Sequence, residues 1–157
     1  MKAHHYNITV EWTGNTGNGT RDYKSYTRDY SIQCEGKPEI KGSSDPAFLG
    51  DRTRYNPEDM LVASLSSCHM LWYRHLCAEA GVIVTDYKDY AEGVMEETAN
   101  GSGRFTAVTL KPVVTVKDNS MIEKANALHK RANEMCFIAN SCNFPVDHEP
   151  TSKTHDI

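Results

Sequence analysis

Between Met60 and Tyr73, fourteen consecutive positions carry no Asp, Glu, Lys or Arg. No other segment constrains the fold as strongly. The run follows Asn56-Pro57-Glu58-Asp59, which has the order of a helix start: a capping amide, proline at the first helical position and two acids in the first turn. Leu61, Leu65, Cys68, Trp72 and Leu76 share one stripe at helical spacing, and Val62, Ser66, His69 and Tyr73 share the next. The predicted helix is therefore buried over most of its circumference, and Gly81 ends it. Fourteen positions fall short of the ~20 apolar residues that a bilayer requires. A central core helix is expected, and no membrane association.

The flanking segments read as strands. Residues 6–12 and 22–33 are rich in Tyr, Thr, Val and Ile and are separated by a Gly/Asn/Thr turn at 13–20. A short strand and a loop follow over 39–55. Val82–Met95 and Arg104–Val116 predict two long strands joined at Ala99-Asn100-Gly101-Ser102-Gly103, a hairpin turn. Ser120 is placed to cap a second helix running to about Glu134, with Ile122, Ala125, Leu128, Ala132 and Met135 facing inward. Phe144–His148 adds a last strand. The order β-β-β-α-β-β-α-β predicts an α+β domain with antiparallel pairing.

Composition narrows the function. The chain of 157 residues reads as one domain over 1–157, with the final seven residues expected to be flexible. Its 17 Lys and Arg against 21 Asp and Glu leave a net charge of −4, too acidic for a nucleic-acid binder that works by replacing counterions. The 39% of hydrophobic residues is a lean content, which points to burial completed by a partner subunit. Residues 1–7 contain no apolar run behind Lys2, so a cytoplasmic location is expected. Cys34, Cys68, Cys77, Cys136 and Cys142 form an odd set without disulfide-framework spacing. In a reducing compartment they are buried thiols, metal ligands or redox groups.

Cys68 lies about three turns into the predicted helix, beyond the reach of the helix dipole. An unassisted thiol is only about 3% ionised at neutral pH, and burial disfavours the thiolate further. A reactive Cys68 therefore needs a cation beside it; without one it is an inert core thiol. His69, one position on, points about 100° away and is no natural base for it. His69, His75 and Cys77 lack zinc-ligand spacing, so no metal is expected.

Asn56-Pro57-Glu58-Asp59-Met60-Leu61, followed by Ala63-Ser64-Leu65-Ser66-Ser67-Cys68-His69-Met70, resembles the OsmC/Ohr family of osmotically inducible and organic hydroperoxide resistance proteins. Cys68 stands where the family has its peroxidatic cysteine. Cys136-Phe137-Ile138-Ala139 is similar to the resolving-cysteine segment, with Phe137 and Ala139 in place of the usual Pro and Ser. The resemblance implies an OsmC-like fold of antiparallel sheets around a buried central helix, in an intertwined homodimer. It also implies reduction of organic hydroperoxides by Cys68, a disulfide with Cys136, and reduction of that disulfide by an external dithiol, of lipoyl type in the well-known members. No metal, flavin or haem is implied. The family's arginine, held by the motif glutamate (here Glu58), matches Arg28 in Tyr26-Thr27-Arg28-Asp29-Tyr30. Arg21, Arg52 and Arg54 are the alternatives, and Cys142 competes with Cys136 as resolver. A second reading is a protein of the same fold without turnover, binding a small apolar ligand or sensing redox state.

Overall fold

Asn56 Oδ1 accepts the Asp59 N–H at 2.8 Å, and Asp59 Oδ2 accepts the Asn56 N–H at 3.2 Å. This reciprocal cap starts α1 (Pro57–Glu79), and Gly81, at φ 75°, turns the chain out of it. The contacts come from a computed structural model that describes residues 1–155. Only Leu65, His69, Tyr73 and Cys77 of α1 are fully buried. They form a single i, i+4 stripe rather than the expected burial on most sides, and Leu71 is 62% exposed.

The chain divides into two compact units, Met1–Met60 and the residues from Leu61 onward. In the first, β1 (Thr9–Trp12), β2 (Tyr30–Gln33) and β3 (Ile40–Gly42) form an antiparallel meander in that order. Only 30–33 of the strand expected over 22–33 is extended in the sheet. The Asp22 carboxylate accepts the Lys24 N–H, and the Ser25 hydroxyl bonds the backbone of Asp22, so these polar groups close a local turn instead of joining the ladder. The Tyr30 ring packs across Gly42, where an added Cβ would come within 2.4 Å of it. No hydrophobic side chain of residues 1–60 is buried, and all four residues of β1 are exposed.

The second unit contains most of α1, α2 (Ile122–Met135) and six strands. These are β4 (Val84–Asp89), β5 (Glu92–Glu97), β6 (Gly103–Leu110), β7 (Pro112–Val116), β8 (Val146–His148) and β9 (Thr151–Thr154). The two long strands predicted over 82–95 and 104–116 are each broken, at Tyr90-Ala91 and at Lys111. Pro112 has no N–H for a ladder, and the Lys111 N–H goes to the Asp89 carboxylate at 2.7 Å instead. The hairpin thus splits into β4–β7 and β5–β6, in two three-stranded sheets.

Two of the pairings depart from the antiparallel expectation: β8 lies parallel to β6, and β9 parallel to β7. β9 also corrects the expectation of a flexible tail from 151, since β7 provides that segment with a backbone partner. Residues 156 and 157 of that tail lie outside the described residues. The cap near α2 is Asp118, whose carboxylate accepts the Ser120 N–H and begins a short 3₁₀ turn ahead of the helix. Two apolar clusters fill this unit. Tyr73, Cys77, Val82, Val114, Val116, Ala125 and Ala132 form one, and Leu65, Val108 and Leu110 the other.

Candidate active site

Cys68 is half-buried on α1, while Cys136 caps the C-terminus of α2 and is 1% exposed. The two thiols are neighbours, and the Cys68 side chain adds to the upward shift of the Cys136 thiol. Burial pushes the Cys136 thiol up to about 11, an effect opposed by the N–H groups of Ala139 and Ile138, and its Sγ lies 3.4 Å from the Ala139 nitrogen. A cavity of about 340 Å³ opens at Cys68, lined by Leu71, Trp72, His75 and Phe137. The Phe137 ring stands edge-on to Trp72, with centroids 5.5 Å apart. Apart from the thiol and the Trp72 indole N–H, the polar lining group is His75, whose Nε2 lies 3.4 Å from the Glu79 carboxylate at the surface. All five cysteines are free thiols. A larger cavity nearer the C-terminus of α1, about 580 Å³, shares Leu71 and His75 with it and contains Arg74 and Cys77 but not Cys68, so the smaller one bears on its chemistry.

The turn of α1 that carries Cys68 is anchored on the sheet. Ser66 Oγ donates to Asp89 Oδ2 at 2.5 Å, while Asp89 Oδ1 holds the Lys111 N–H. The carboxylate that marks the break between β4 and β5 therefore also fixes the helix two residues before Cys68. His69, next to it, turns into the core as the sequence geometry requires. Its Nε2 lies 2.9 Å from His129 Nδ1, the His129 ring stacks on Tyr73 at 3.9 Å, and His148 closes the group. Burial holds His69 down to about 4, helped by His148, and holds His129 down to about 3, helped by both neighbours. His69 and His129 are therefore neutral at pH 7. No pattern of neighbouring residues marked this cluster, because its members come from α1, α2 and β8.

The structure thus brings Cys68 and Cys136 together. Cys142 gives its thiol to the Ile138 carbonyl at 3.3 Å and packs with the Leu65 cluster, and Cys77 is buried in the other core. Trp72, expected on a buried face of the helix, packs against the Tyr73 cluster and also lines the Cys68 cavity. Leu71, His75 and Phe137 were not singled out as cavity residues; their one sequence signal is that 68, 71, 72 and 75 share a helical face. In the first unit, Glu58 lies in the first turn of α1 and raises the Tyr30 phenol, itself already raised by burial. Arg28 donates to the carbonyl oxygens of Tyr26, at 2.7 Å, and Tyr23, and its guanidinium lies over both tyrosine rings. Arg54 faces Asp29 at 3.6 Å and Asp51 at 3.7 Å. Among the described residues, Glu58, Arg21 and Arg52 form no ion pair.

The family model for OsmC-like proteins matches residues 50–151, which include Glu58, Cys68 and Cys136. The chain belongs to the OsmC-like family. An OsmC-like protein of unknown function from Vibrio cholerae has a similar structure, with a TM-score of 0.85 and 29% identity over 95% of this chain and 100% of that one. An organic hydroperoxide resistance protein from Elizabethkingia anophelis shares the fold, with a TM-score of 0.69, 19% identity, and coverage of 99% and 100%. The uncharacterized YmaD protein of Bacillus subtilis is 22% identical over 90% of this chain and 88% of its own length. No helix among the described residues of this OsmC-like protein is long and apolar enough to cross a membrane.

Proposed function

We propose that this OsmC-like protein is a thiol-dependent peroxidase that reduces organic hydroperoxides to alcohols. One observation supports the reading above all: a half-buried thiol, Cys68, opens on an apolar cavity with a second, fully buried thiol, Cys136, against it. The Cys68 thiolate attacks the distal oxygen of the peroxide. An alcohol leaves, and Cys68 becomes a sulfenic acid. Cys136 condenses with it, forming the Cys68–Cys136 disulfide and releasing water, and a dithiol of lipoyl type then reduces that disulfide. Peroxide itself finds little purchase on Cys136, whose buried thiol stays protonated at neutral pH.

The resemblance supplies the remaining roles. Arg28 is the cation that favours the Cys68 thiolate, and Glu58 orients it; guanidinium keeps its charge and offers donors to both groups. The working form is a homodimer, because residues 1–60 bury no hydrophobic side chain and leave Ile8, Val10 and Tyr55 at least 60% exposed. The direct test is consumption of cumene hydroperoxide in the presence of dihydrolipoamide. Turnover that requires both peroxide and dithiol is expected. A protein that binds the peroxide without consuming an equivalent would leave only the ligand-binding reading.

A further inference from the structure

The redox pairing of Cys68 and Cys136 does not by itself say which sulfur a reducing thiol attacks. Thiol–disulfide exchange depends on access to the attacked sulfur and on how well the other sulfur leaves. Access favours Cys68, which lines the open cavity, whereas Cys136 is 1% exposed and takes no part in that lining. Departure is shaped by the chain just after α2. Cys136 is followed by a short 3₁₀ turn, Ala139–Ser141, and this directs the Ala139 N–H at Cys136 Sγ over 3.4 Å, while the neighbouring Ile138 N–H also favours the thiolate. Successive backbone N–H groups converging on one atom make an anion-binding nest.

Leaving-group strength alone argues the other way. Burial raises the Cys136 thiol to about 11, and a less acidic thiol leaves more slowly. The N–H groups of Ala139 and Ile138 already limit that shift, since a donor acts most strongly on a full negative charge. Access sets a harder limit, since in-line attack on a sulfur with no exposed face needs the segment to open first. Access therefore decides.

We propose that the reducing dithiol attacks Sγ of Cys68, and that Cys136 departs as a thiolate received by the N–H groups of Ala139 and Ile138. This rests on the peroxidase reading for its place in a cycle. The incoming thiolate forms an S–S bond with Cys68 as the Cys68–Cys136 bond breaks, and the electron pair goes to Cys136 Sγ. The thiolate then takes up the proton that the dithiol released to solvent. The second thiol of the reductant closes on the first, releasing the Cys68 thiolate and a cyclic disulfide. The dithiol is oxidised by two electrons and the protein disulfide is reduced by two.

The test uses the full chain with its disulfide formed by diamide, so that it does not depend on peroxide turnover. The oxidised protein is mixed with excess 2-mercaptoethanesulfonate, quenched in acid within the first turnover, alkylated with N-ethylmaleimide and mapped by mass. The expected product carries the sulfonate thiol on Cys68 and maleimide on Cys136, in at least tenfold excess over the reverse. The reverse pattern, or equal shares, overturns the assignment. A disulfide formed by diamide but not by cumene hydroperoxide would instead count against the peroxidase reading. The nest has its own readout. In Cys68→Ser, the amide protons of Ala139 and Ile138 should move downfield in NMR spectra as Cys136 ionises, with the midpoint of its alkylation profile. Amide shifts that ignore this titration would remove the nest.

Discussion

Lowering the pH from 7 to 5 should remove a large part of this protein's stability through two residues, His69 and His129. In the unfolded chain each titrates near 6.5, whereas in the fold they are held to about 4 and about 3. Over this window the unfolded state binds more protons, so stability present above about pH 6.5 is lost as the pH falls through the folded values. At pH 5 the unfolded imidazoles are about 97% protonated and the folded ones less than about a tenth, a loss of roughly 2 kcal/mol each relative to pH 7. The pair together costs about 4 kcal/mol, a substantial part of a typical 5–15 kcal/mol. The Asp51 carboxyl, lowered chiefly by its hydrogen bond from Thr53, and that of Glu92, lowered by Lys111, titrate below this window. Burial is the main cause of the His69 and His129 shifts, and the neighbours that add to them are imidazoles.

The assay is urea unfolding at pH 7 and pH 5 at one protein concentration, for the natural chain and for His129→Gln. At an m-value of ~2 kcal/mol/M, the natural midpoint should fall by about 2 M. In His129→Gln it should fall by about half as much, whatever the variant's stability at pH 7, because one of the two titrating groups is gone. Equal falls in the two proteins would refute the argument, as would a midpoint that does not change between pH 7 and 5.

In peroxide assays, Cys68→Ser should lose consumption altogether, while Cys136→Ser should remove about one equivalent and stall with Cys68 as a sulfenic acid open to over-oxidation. A peroxide-induced Cys68–Cys142 crosslink in peptide maps would reassign the resolver. Arg28→Ala should slow iodoacetamide alkylation of Cys68 at pH 7 by about tenfold or more, and an unchanged rate would move the role to Arg21. Asp89→Ala, which deprives both Ser66 and the Lys111 N–H of their acceptor, should cost about 1–3 kcal/mol in urea unfolding. Sedimentation at micromolar concentration should give a dimer, and a stable monomer would sink that assignment.

The elements that could be read from the sequence are those set by neighbouring residues. Asn56, Pro57, Asp59 and Gly81 act within a few positions of themselves, so both ends of α1 follow from local chemistry. The pairing of Cys68 with Cys136 came instead from the family resemblance. The break in the hairpin was partly visible, because a proline at 112 argues against an unbroken central strand. Its other half was not, since only the fold brings the Asp89 carboxylate to the Lys111 N–H. The parallel returns of β8 and β9 were hidden for the same reason: a strand of three or four residues has no periodicity with which to choose a partner.

Hydropathy patterning left His129 out of the core of α2. Position 129 lies four residues after Ala125 and three before Ala132, so helical spacing points it inward with them. A histidine there counts as polar in any hydrophobic pattern, yet as a neutral imidazole stacked on Tyr73 it packs like an aromatic ring. The same holds for His69, which completes the buried stripe of Leu65, Tyr73 and Cys77. Their mutual hydrogen bond satisfies only one nitrogen of each ring, and His69 Nδ1 and His129 Nε2 are left without a partner. An unpaired buried polar atom costs stability, typically 1–3 kcal/mol, and leucines at both positions together would avoid that cost. The cluster therefore does not achieve the most stable core that the α1 and α2 faces could form. What it adds to the helix carrying Cys68 is a dependence on protons, which a leucine core would lack.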